Sequence, residues 1–259
     1  MPYPSFGSVT TDFFLEISKG NVPGHKWQPV LTRINSTVGG GVIEDWRPTG
    51  GESNILTVTT AETWEIVSDS VNDTSAGTGG RTVAIDSLDE NYNEQTTIVT
   101  LNGTTPVTIS GTHIRPRAAT VITAGSGLVN EGNITVRKVG EASNPFVRNY
   151  IVATQSLSKD PAFTVPAGKT AFIKQTTIFT PKNQDGIARN KLKAFGSDTA
   201  LLIGLDIPFY QNAIVFPVQG PFQLGEKLDI IFQVSTANAG VELQSIVDFI
   251  VIDNAYIGS

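Results

Sequence analysis

The acidic and amide side chains between residues 69 and 94 are the groups with the most evident capacity for chemistry. Their oxygens are the ligands that Ca²⁺ prefers, and several of them could converge on one ion. Their spacing does not match the twelve-residue calcium loop between helices, and turns also select Asp and Asn, whose side chains accept hydrogen bonds from nearby backbone N–H groups. We therefore expect turn caps here and assign no metal ligand. The residues concerned are Asp69, Asn72, Asp73, Asp86, Asp89, Glu90, Asn91, Asn93 and Glu94.

Three other patterns fail the tests for nucleotide binding or catalysis. Gly168-Lys169-Thr170 resembles the end of a phosphate-binding loop, but the glycine required five residues earlier is Phe163, and the residues that follow predict a strand. His25 and His113 lie far apart, and no Gly-x-Ser-x-Gly elbow is present. The chain also has no cysteine, which excludes a thiolate metal site and a cysteine nucleophile. We predict a protein that is not an enzyme and carries no catalytic residue and no cofactor.

The net charge and the hydropathy of the sequence limit the classes of partner that the protein can bind. The 259 residues include 18 Lys and Arg against 24 Asp and Glu, a net charge of −6. This acidic balance, without a basic run, argues against nucleic acid as the partner. No stretch approaches the ~18 consecutive apolar residues that a membrane-spanning helix needs, so we expect no membrane partner. The first residues form neither a basic n-region nor an apolar h-region, which predicts synthesis in the cytoplasm.

The amino-acid composition of the chain is typical of β-strands. Charged residues make up 16% of the chain, against about 25% in ordinary globular domains. Thr, Val and Ile are frequent, whereas the Glu, Lys and Arg of exposed helix faces are few. A surface with so few charges also suits contact with other protein.

Residues 1–50 differ from the rest of the chain because Gly and Pro interrupt every run. They nevertheless include large aromatic residues, for which a free linker has little use. We expect an extended N-terminal arm that packs either on its own domain or on a neighbouring subunit. The candidate partner-interface residues are Phe13, Phe14, Trp27 and Trp46.

From residue 54 onward, apolar and polar residues alternate, which predicts about a dozen short strands and no convincing helix. Asn102-Gly103-Thr104-Thr105 and Pro166-Ala167-Gly168 are typical of hairpin turns. Residues 246–252 are apolar on both faces except for Asp248, which predicts a central strand buried between layers. The predicted fold is all-β, a jelly-roll-like antiparallel β-sandwich, either one large sandwich or two smaller ones. The predicted divisions are the arm at 1–50, a first half at 51–145 and a second half or domain at 146–259.

Several runs of the sequence are distinctive: ISKGNVPGH (17–25), IEDW (43–46), SDSVNDTSAGTGGRTV (68–83), LDENY (88–92), TLNGTTPV (100–107), AGSG (124–127) and NEGNI (130–134). Together they resemble a group of virion structural proteins of tailed bacteriophages, common in marine phages. The resemblance covers about residues 17–138, and its most specific part is the run from Asp73 to Gly79. A weaker similarity follows at residues 164–170.

The resemblance implies a non-catalytic, oligomeric protein on the surface of the virion, made in the host cytoplasm. Two hypotheses follow. In the first, the chain is a capsid decoration (cement) protein, a homotrimer that binds the major capsid protein or other virion proteins of the phage head. In the second, it is a head fibre, a spike or a tail-associated adhesin that recognises a host surface glycan.

Overall fold

The computed structural model describes residues 12–35, 40–45, 47, 58–143, 147–158, 161–180, 185–193, 202–204, 206–210 and 214–257. Within these residues the chain forms seventeen strands, one short α-helix and a final 3-10 turn. None of the helices is long and apolar enough to cross a membrane within the described part. All the strand pairings are antiparallel. The all-β prediction is confirmed.

The helices and strands are numbered in chain order. They are α1 (Phe13–Ser18), β1 (His25–Asn35), β2 (Ile43–Asp45), β3 (Trp64–Ser68), β4 (Gly80–Leu88), β5 (Glu94–Thr100), β6 (Val107–Thr108), β7 (Arg115–Ala124), β8 (Ile134–Lys138), β9 (Val147–Ile151), β10 (Ala162–Thr164), β11 (Lys169–Phe179), β12 (Asp185–Lys193), β13 (Leu202–Ile203), β14 (Ile207–Tyr210), β15 (Ile214–Leu224), β16 (Asp229–Thr236), β17 (Glu242–Asp253) and the 3-10 turn Asn254–Tyr256.

The first of two sandwiches is a jelly roll. Sheet A has the order β1-β17-β11-β15, and sheet B has the order β10-β16-β12-β13, with β14 also paired to β12 and β2 to β16. β2 and β10 pair with successive stretches of the same edge of β16. β13 and β14 likewise pair with successive stretches of one edge of β12. If each of these two pairs is taken as one interrupted strand, eight strands in chain order give sheets 1-8-3-6 and 2-7-4-5, the jelly-roll pattern. The jelly-roll prediction is therefore confirmed.

The core of the jelly roll follows from alternation along the strands. On β17, Leu243, Val247, Phe249 and Val251 are buried, while the residues between them on the other face are exposed or half-buried. Phe249 stacks on Phe163 of sheet B at 4.5 Å between ring centroids. As predicted for residues 246–252, β17 lies inside its sheet, between β1 and β11.

The second sandwich is inserted between β2 and β10. Its sheet C has the order β6-β3-β8-β9, and its sheet D the order β5-β4-β7. Trp64, Ile66, Val83 and Ile85 belong to a separate hydrophobic core between these sheets. Each sandwich thus has its own core, and the sequence had left open whether there was one sandwich or two.

The sheets divide the chain differently from the predicted ranges. β9, at Val147–Ile151, pairs with β8 and so belongs to the inserted sandwich, beyond the predicted boundary at residue 145. In the range 1–50, β1 pairs with β17 over its full length, and β2 pairs with β16. These parts of the predicted arm are strands of the chain's own jelly roll.

The turns at residues 102–105 and 166–168 are present, but they are not hairpins. Gly103 and Gly168 adopt positive φ angles of 60° and 69°. However, β5 and β6 on either side of the first turn belong to sheets D and C, and β10 and β11 around the second belong to sheets B and A. Each turn therefore carries the chain from one sheet to the facing one.

A buried ion pair joins the two sandwiches. Arg115 at the start of β7 donates from Nε and Nη2 to the two carboxylate oxygens of Asp229 on β16, at 3.0 and 2.8 Å. Arg115 is 2% exposed and Asp229 4%. Burial lowers the pKa of Arg115, but the hydrogen bonds and charge of Asp229 outweigh it and leave the pKa raised. Thr164 also donates to Asp229, at 2.5 Å, so both charges are paired across the junction.

Removing one partner of this pair should destabilise the protein strongly. We expect Arg115→Met to lower the free energy of unfolding by about 3–5 kcal/mol, because it leaves the Asp229 carboxylate buried without a cation. The double variant Arg115→Met/Asp229→Leu should lose less, since neither charge remains. Urea unfolding followed by tryptophan fluorescence measures both.

The matched control is Arg189→Met. Arg189 makes the same two-bond contact to Asp206, but Asp206 is 45% exposed. We expect this substitution to cost no more than about 1 kcal/mol. Equal losses for Arg115→Met and Arg189→Met would contradict the importance of the buried pair.

Candidate interaction surfaces

An aromatic cluster forms where α1 lies on the outer face of sheet A. Asp12 begins the helix, since its Oδ1 accepts hydrogen bonds from the backbone N–H groups of Phe14 and Leu15, at 2.9 and 3.4 Å. The Phe14 ring meets Trp27 edge-on at 5.9 Å, and Phe13 meets His25 at 6.0 Å. The structure therefore brings Phe13, Phe14 and Trp27 together in one cluster, and their role in an interface stays a prediction.

Two charged residues of the same sheet complete this cluster. Lys174, at the bulge of β11, places its Nζ 3.7 Å from the centre of the Phe14 ring and 4.5 Å from Trp27. The indole Nε1 of Trp27 donates to Asp248 at 3.1 Å. These cation–π contacts and this hydrogen bond hold the six-residue helix on its own sheet.

The exposed part of this surface is formed by α1. Phe13 is 46% exposed and Leu15 49%, whereas Phe14 and Trp27 are half-buried. Phe14 and Trp27 are thus used for contacts within the chain, whereas nearly half of the Phe13 side chain is exposed. Trp46 lies outside the described residues.

The inserted sandwich ends, away from the jelly roll, in a group of loops at residues 69–79, 101–103 and 125–133, which we call the loop end. Its centre is Asp73, which is fully buried. Its carboxylate accepts four hydrogen bonds, from the N–H groups of Gly80, Glu131 and Gly132 and the hydroxyl of Ser68, at 2.6–2.9 Å. One carboxylate therefore ties three parts of the loop end together.

The loop end is packed so closely that side chains cannot be added to several of its glycines. A Cβ on Gly125 would lie 2.2 Å from the carbonyl oxygen of Gly77, and one on Gly132 would lie 2.4 Å from Asp69 Oδ1. Two apolar side chains project from this surface, Val71 at 69% exposure and Leu128 at 83%. The loop end thus consists of tightly packed loops that carry two exposed apolar side chains.

A cleft of about 370 Å³ lies between the two sandwiches, along the outer edge of β1. Glu94 of the inserted sandwich lies at this cleft and is surrounded by three cations. Its carboxylate contacts Arg117 at 2.8 Å, Lys169 at 3.3 Å and Lys26 at 3.5 Å. Burial alone would raise the pKa of Glu94, but the hydrogen bond from Arg117 and the charges of Arg117, Lys26 and Lys169 lower it to about 2. Because Lys26 and Lys169 belong to the jelly roll, Glu94 is a second link across the junction.

The outer face of sheet D is nearly uncharged, and we call it the threonine face; one end of it lines the cleft beside β1. Strand register places its residues in three rows across β5, β4 and β7. The central row contains Ile98, which is 64% exposed. The rows are Thr100–Thr82–Thr123, Ile98–Ala84–Thr120 and Thr96–Asp86–Ala118.

The residues that suggested other chemistry have structural contacts. Asp89 caps its own turn, accepting from the N–H groups of Asn91 and Asn93 at 2.8 and 2.9 Å, which confirms the prediction of a turn cap at this position. Asp69 instead accepts from Asn133 of another loop, at 2.7 and 2.8 Å. No group of three or more potential metal-ligating side chains occurs among the described residues. Lys169 opens strand β11 and pairs with Glu94 and Asp253, so it does not begin a phosphate-binding helix.

The sequence matches no protein-family model and no curated protein sequence. Solved structures give distant similarities. A chain of the T13 infectious bursal disease virus particle is 10% identical, with a TM-score of 0.25, over 88% of this chain and 69% of the other. The VP2 subviral particle of the same virus is 13% identical, with a TM-score of 0.20, over 91% and 74%. The tryptic core of Cry1Da from Bacillus thuringiensis is 9% identical, with a TM-score of 0.21, over 84% and 53%.

Sequence reasoning missed both links across the junction and the threonine face. Arg115 and Asp229 are separated by more than a hundred residues, and nothing in their local sequence marks them as partners. The threonine face was detectable in part, because Thr alternates with apolar residues in residues 95–101 and 81–86. Which of those strands were neighbours was not visible.

Asp73 should be the most sensitive residue of the loop end. We expect Asp73→Asn to lower the free energy of unfolding by about 2–4 kcal/mol, since an amide NH₂ would face backbone N–H donors that need an acceptor. Thermal unfolding measures the loss. The control is Asp86→Asn, since Asp86 is exposed and its carboxylate accepts a hydrogen bond from the Thr96 hydroxyl. A loss at Asp73 no larger than that at Asp86 would contradict this role.

Glu94 should make the junction sensitive to acid. Its folded pKa of about 2 lies below the reference value of 4.5, so its stabilising contribution is present above about pH 4.5 and is lost as the pH falls toward 2. We expect the difference in unfolding free energy between the wild type and Glu94→Gln to shrink steadily from pH 5 to pH 2. The exposed Glu90→Gln is the control. A difference for Glu94→Gln that stays constant over this range would contradict the assignment.

Proposed function

We propose that this chain is a non-catalytic virion structural protein that assembles with copies of itself and decorates the head of a tailed phage as a cement protein. The observation that supports it best is the architecture, a jelly roll that carries a second sandwich inserted between β2 and β10. Jelly rolls are a common architecture of capsid proteins. The runs that resemble phage virion proteins lie mostly in the inserted sandwich and its approach, residues 17–138.

The internal links support a rigid building block. The Arg115–Asp229 pair, which is buried, and Glu94, which contacts cations of both sandwiches, hold the two sandwiches together. A subunit of a shell must present its contacts at fixed positions, because every copy meets its neighbours in the same way. A fixed angle between the two sandwiches meets this requirement.

We further propose that the surface formed by α1 binds the head. Phe13 and Leu15 are exposed beside Phe14 and Trp27, which anchor them to sheet A. A buried aromatic side chain contributes about 2 kcal/mol or more to an interface. Symmetric copies, three in the homotrimer that we propose, multiply a contact of this size on a particle.

The loop end favours a second candidate, a fibre, spike or tail-associated adhesin that binds a host glycan. Val71 and Leu128 project from a rigid end that lies away from the jelly roll. Leu128 adopts a φ of 63°, which a leucine rarely does. Such a preorganised display suits recognition, and a glycan array probed with intact particles tests it separately.

Binding to phage heads tests the first candidate. Heads assembled without this protein are mixed with the purified chain and sedimented, and the bound fraction is measured against concentration. We expect saturable binding, and we expect Phe13→Ser to weaken it about tenfold. The native mass of the free protein, from analytical ultracentrifugation, tests the trimer.

Leu128→Ser is the matched control, because it removes an even more exposed apolar side chain at the opposite end. It should leave head binding unchanged. A wild-type chain that stays monomeric and does not sediment with heads would overturn the proposal. Loss of binding in Leu128→Ser but not in Phe13→Ser would transfer the contact to the loop end.

A further inference from the structure

We propose that His113 is an acid-sensitive clamp behind the junction of the two sandwiches. While its imidazole ring is neutral, it holds together the segments that carry the junction contacts. Protonation of the ring releases these segments and lets the two sandwiches change their relative orientation. This inference adds a pH-dependent conformational change to the proposed function. It concerns the free chain and does not depend on what the chain binds.

The ring of His113 is buried inside the inserted sandwich, where the residue is 1% exposed. Its Nδ1 lies 2.9 Å from the hydroxyl oxygen of Ser87 on β4 and 2.9 Å from the amide nitrogen of Gln95 on β5. Its Nε2 lies 3.1 Å from the carbonyl oxygen of Ser110. The ring therefore joins two strands of sheet D to the segment between β6 and β7. We call these four residues the histidine clamp.

The backbone of His113 reaches the facing sheet. It exchanges two backbone hydrogen bonds with Glu62, at 2.9 and 3.1 Å. Its carbonyl oxygen also accepts from the indole Nε1 of Trp64, at 2.8 Å. Trp64 begins β3 of sheet C and is fully buried. His113 thus connects both sheets of the inserted sandwich.

Strand register places the histidine clamp directly behind the junction. One row across sheet D contains Glu94 and Arg115, the two residues that link the sandwiches, with Leu88 between them. Ser87 and Gln95, which hold the ring, are neighbours in the adjoining row. A displacement of the ring and its partners therefore disturbs the row that carries both links.

The hydrogen-bond partners of the ring require its neutral form. A carbonyl oxygen only accepts, so Nε2 carries the hydrogen that is donated to Ser110. The amide nitrogen of Gln95 faces the carbonyl oxygen of Thr112 at 3.4 Å as well as Nδ1. It is therefore the donor in both contacts, and Nδ1 is an acceptor. A hydrogen on Nδ1 would point at the NH₂ group of Gln95.

No carboxylate is bonded to the ring among the residues that the structure describes. Burial lowers the pKa of His113, and the hydrogen bond to Ser110 offsets this only in part. A protonated ring would thus be a buried charge without an anion. The charged groups on the surrounding segments have contacts of their own: Glu62 with Lys138, Glu65 with Arg137, Arg115 with Asp229, Asp86 with the Thr96 hydroxyl, Glu94 with three cations, and Arg148 with the Trp64 ring.

The burial of the ring fixes the direction of the pH effect. In the unfolded chain His113 has its reference pKa of 6.5 and binds a proton below that pH, whereas the buried ring has a lower pKa. The state with the ring released therefore gains protons first, and the closed state loses stability as the pH falls below 6.5. Glu94 contributes a loss only below about pH 4.5. The two groups thus act in separate pH ranges.

Spin labels on the two sandwiches measure the change, because the chain has no cysteine of its own. Leu128→Cys in the inserted sandwich and Tyr210→Cys in the jelly roll carry the labels at positions that are 83% and 66% exposed. Double electron–electron resonance should give a narrow distance distribution at pH 7.5 and one at least twice as wide at pH 5.0. The midpoint of this change should coincide with the pKa of His113, which NMR measures directly because the chain has only two histidines.

Gln95→Glu is the variant that should reverse the effect. A carboxylate beside Nδ1 pairs with the protonated ring, so the pKa of His113 should rise above 6.5 and the distance distribution should stay narrow at pH 5.0. A purely structural role of Gln95 would not raise this pKa.

His25→Gln is the matched control. The His25 ring is half-buried and contacts the carbonyl oxygen of Pro23, outside the histidine clamp. This variant should leave the pH profile unchanged, and it identifies the NMR signal of His113.

A distance distribution that keeps its width down to pH 5.0, or that widens equally in Gln95→Glu, would overturn the proposal. So would a wild-type pKa of His113 at or above 6.5. None of these outcomes would affect the binding of heads at neutral pH. Conversely, a normal acid response without binding to heads would remove the decoration function and leave the histidine clamp standing.

Discussion

The ion pair between Arg115 and Asp229 is the constraint on which the arrangement of the two sandwiches depends. The inserted sandwich is joined to the jelly roll by only two passages of the chain, one before β3 and one after β9, and two such connections alone would act as a hinge. A buried, two-bond ion pair fixes both the separation and the orientation of the strands that bear it. Glu94, with cations from both sandwiches, adds a second fixed point. Two points of attachment prevent rotation.

Aspartate carboxylates that bond within the chain hold together several parts of this fold. Asp73 holds the loop end, Asp229 the junction and Asp248 the indole of Trp27. Carboxylates placed in this way satisfy donors that would otherwise be buried without a partner. Because the chain has few charged residues, the carboxylates used inside the fold leave fewer charged groups on its surface. The threonine face is a consequence, an outer sheet surface with a single carboxylate.

The surfaces left open differ in chemistry and therefore in the partners that they suit. The α1 surface presents aromatic rings on a firmly held helix, and the loop end presents isolated apolar groups on tightly packed loops. The threonine face carries a single carboxylate and lines the cleft at one end. An aromatic surface favours a protein partner with a complementary pocket. One subunit can thus make different contacts without conflict.

The sequence by itself determined the local features. Alternation predicted the strands and the jelly-roll class, and Asp, Asn and Gly predicted turns that the structure contains. The central position of residues 246–252 was predicted because both faces of that run are apolar. These features depend on neighbours in the chain, which a sequence states directly. Only the tertiary structure decided the pairings: residues 25–35 joined β17, the expected hairpins at 102–105 and 166–168 crossed between sheets, and Arg115 met Asp229. A strand has two edges that can hydrogen-bond to many others, so its partner is chosen by burial and packing summed over the whole fold.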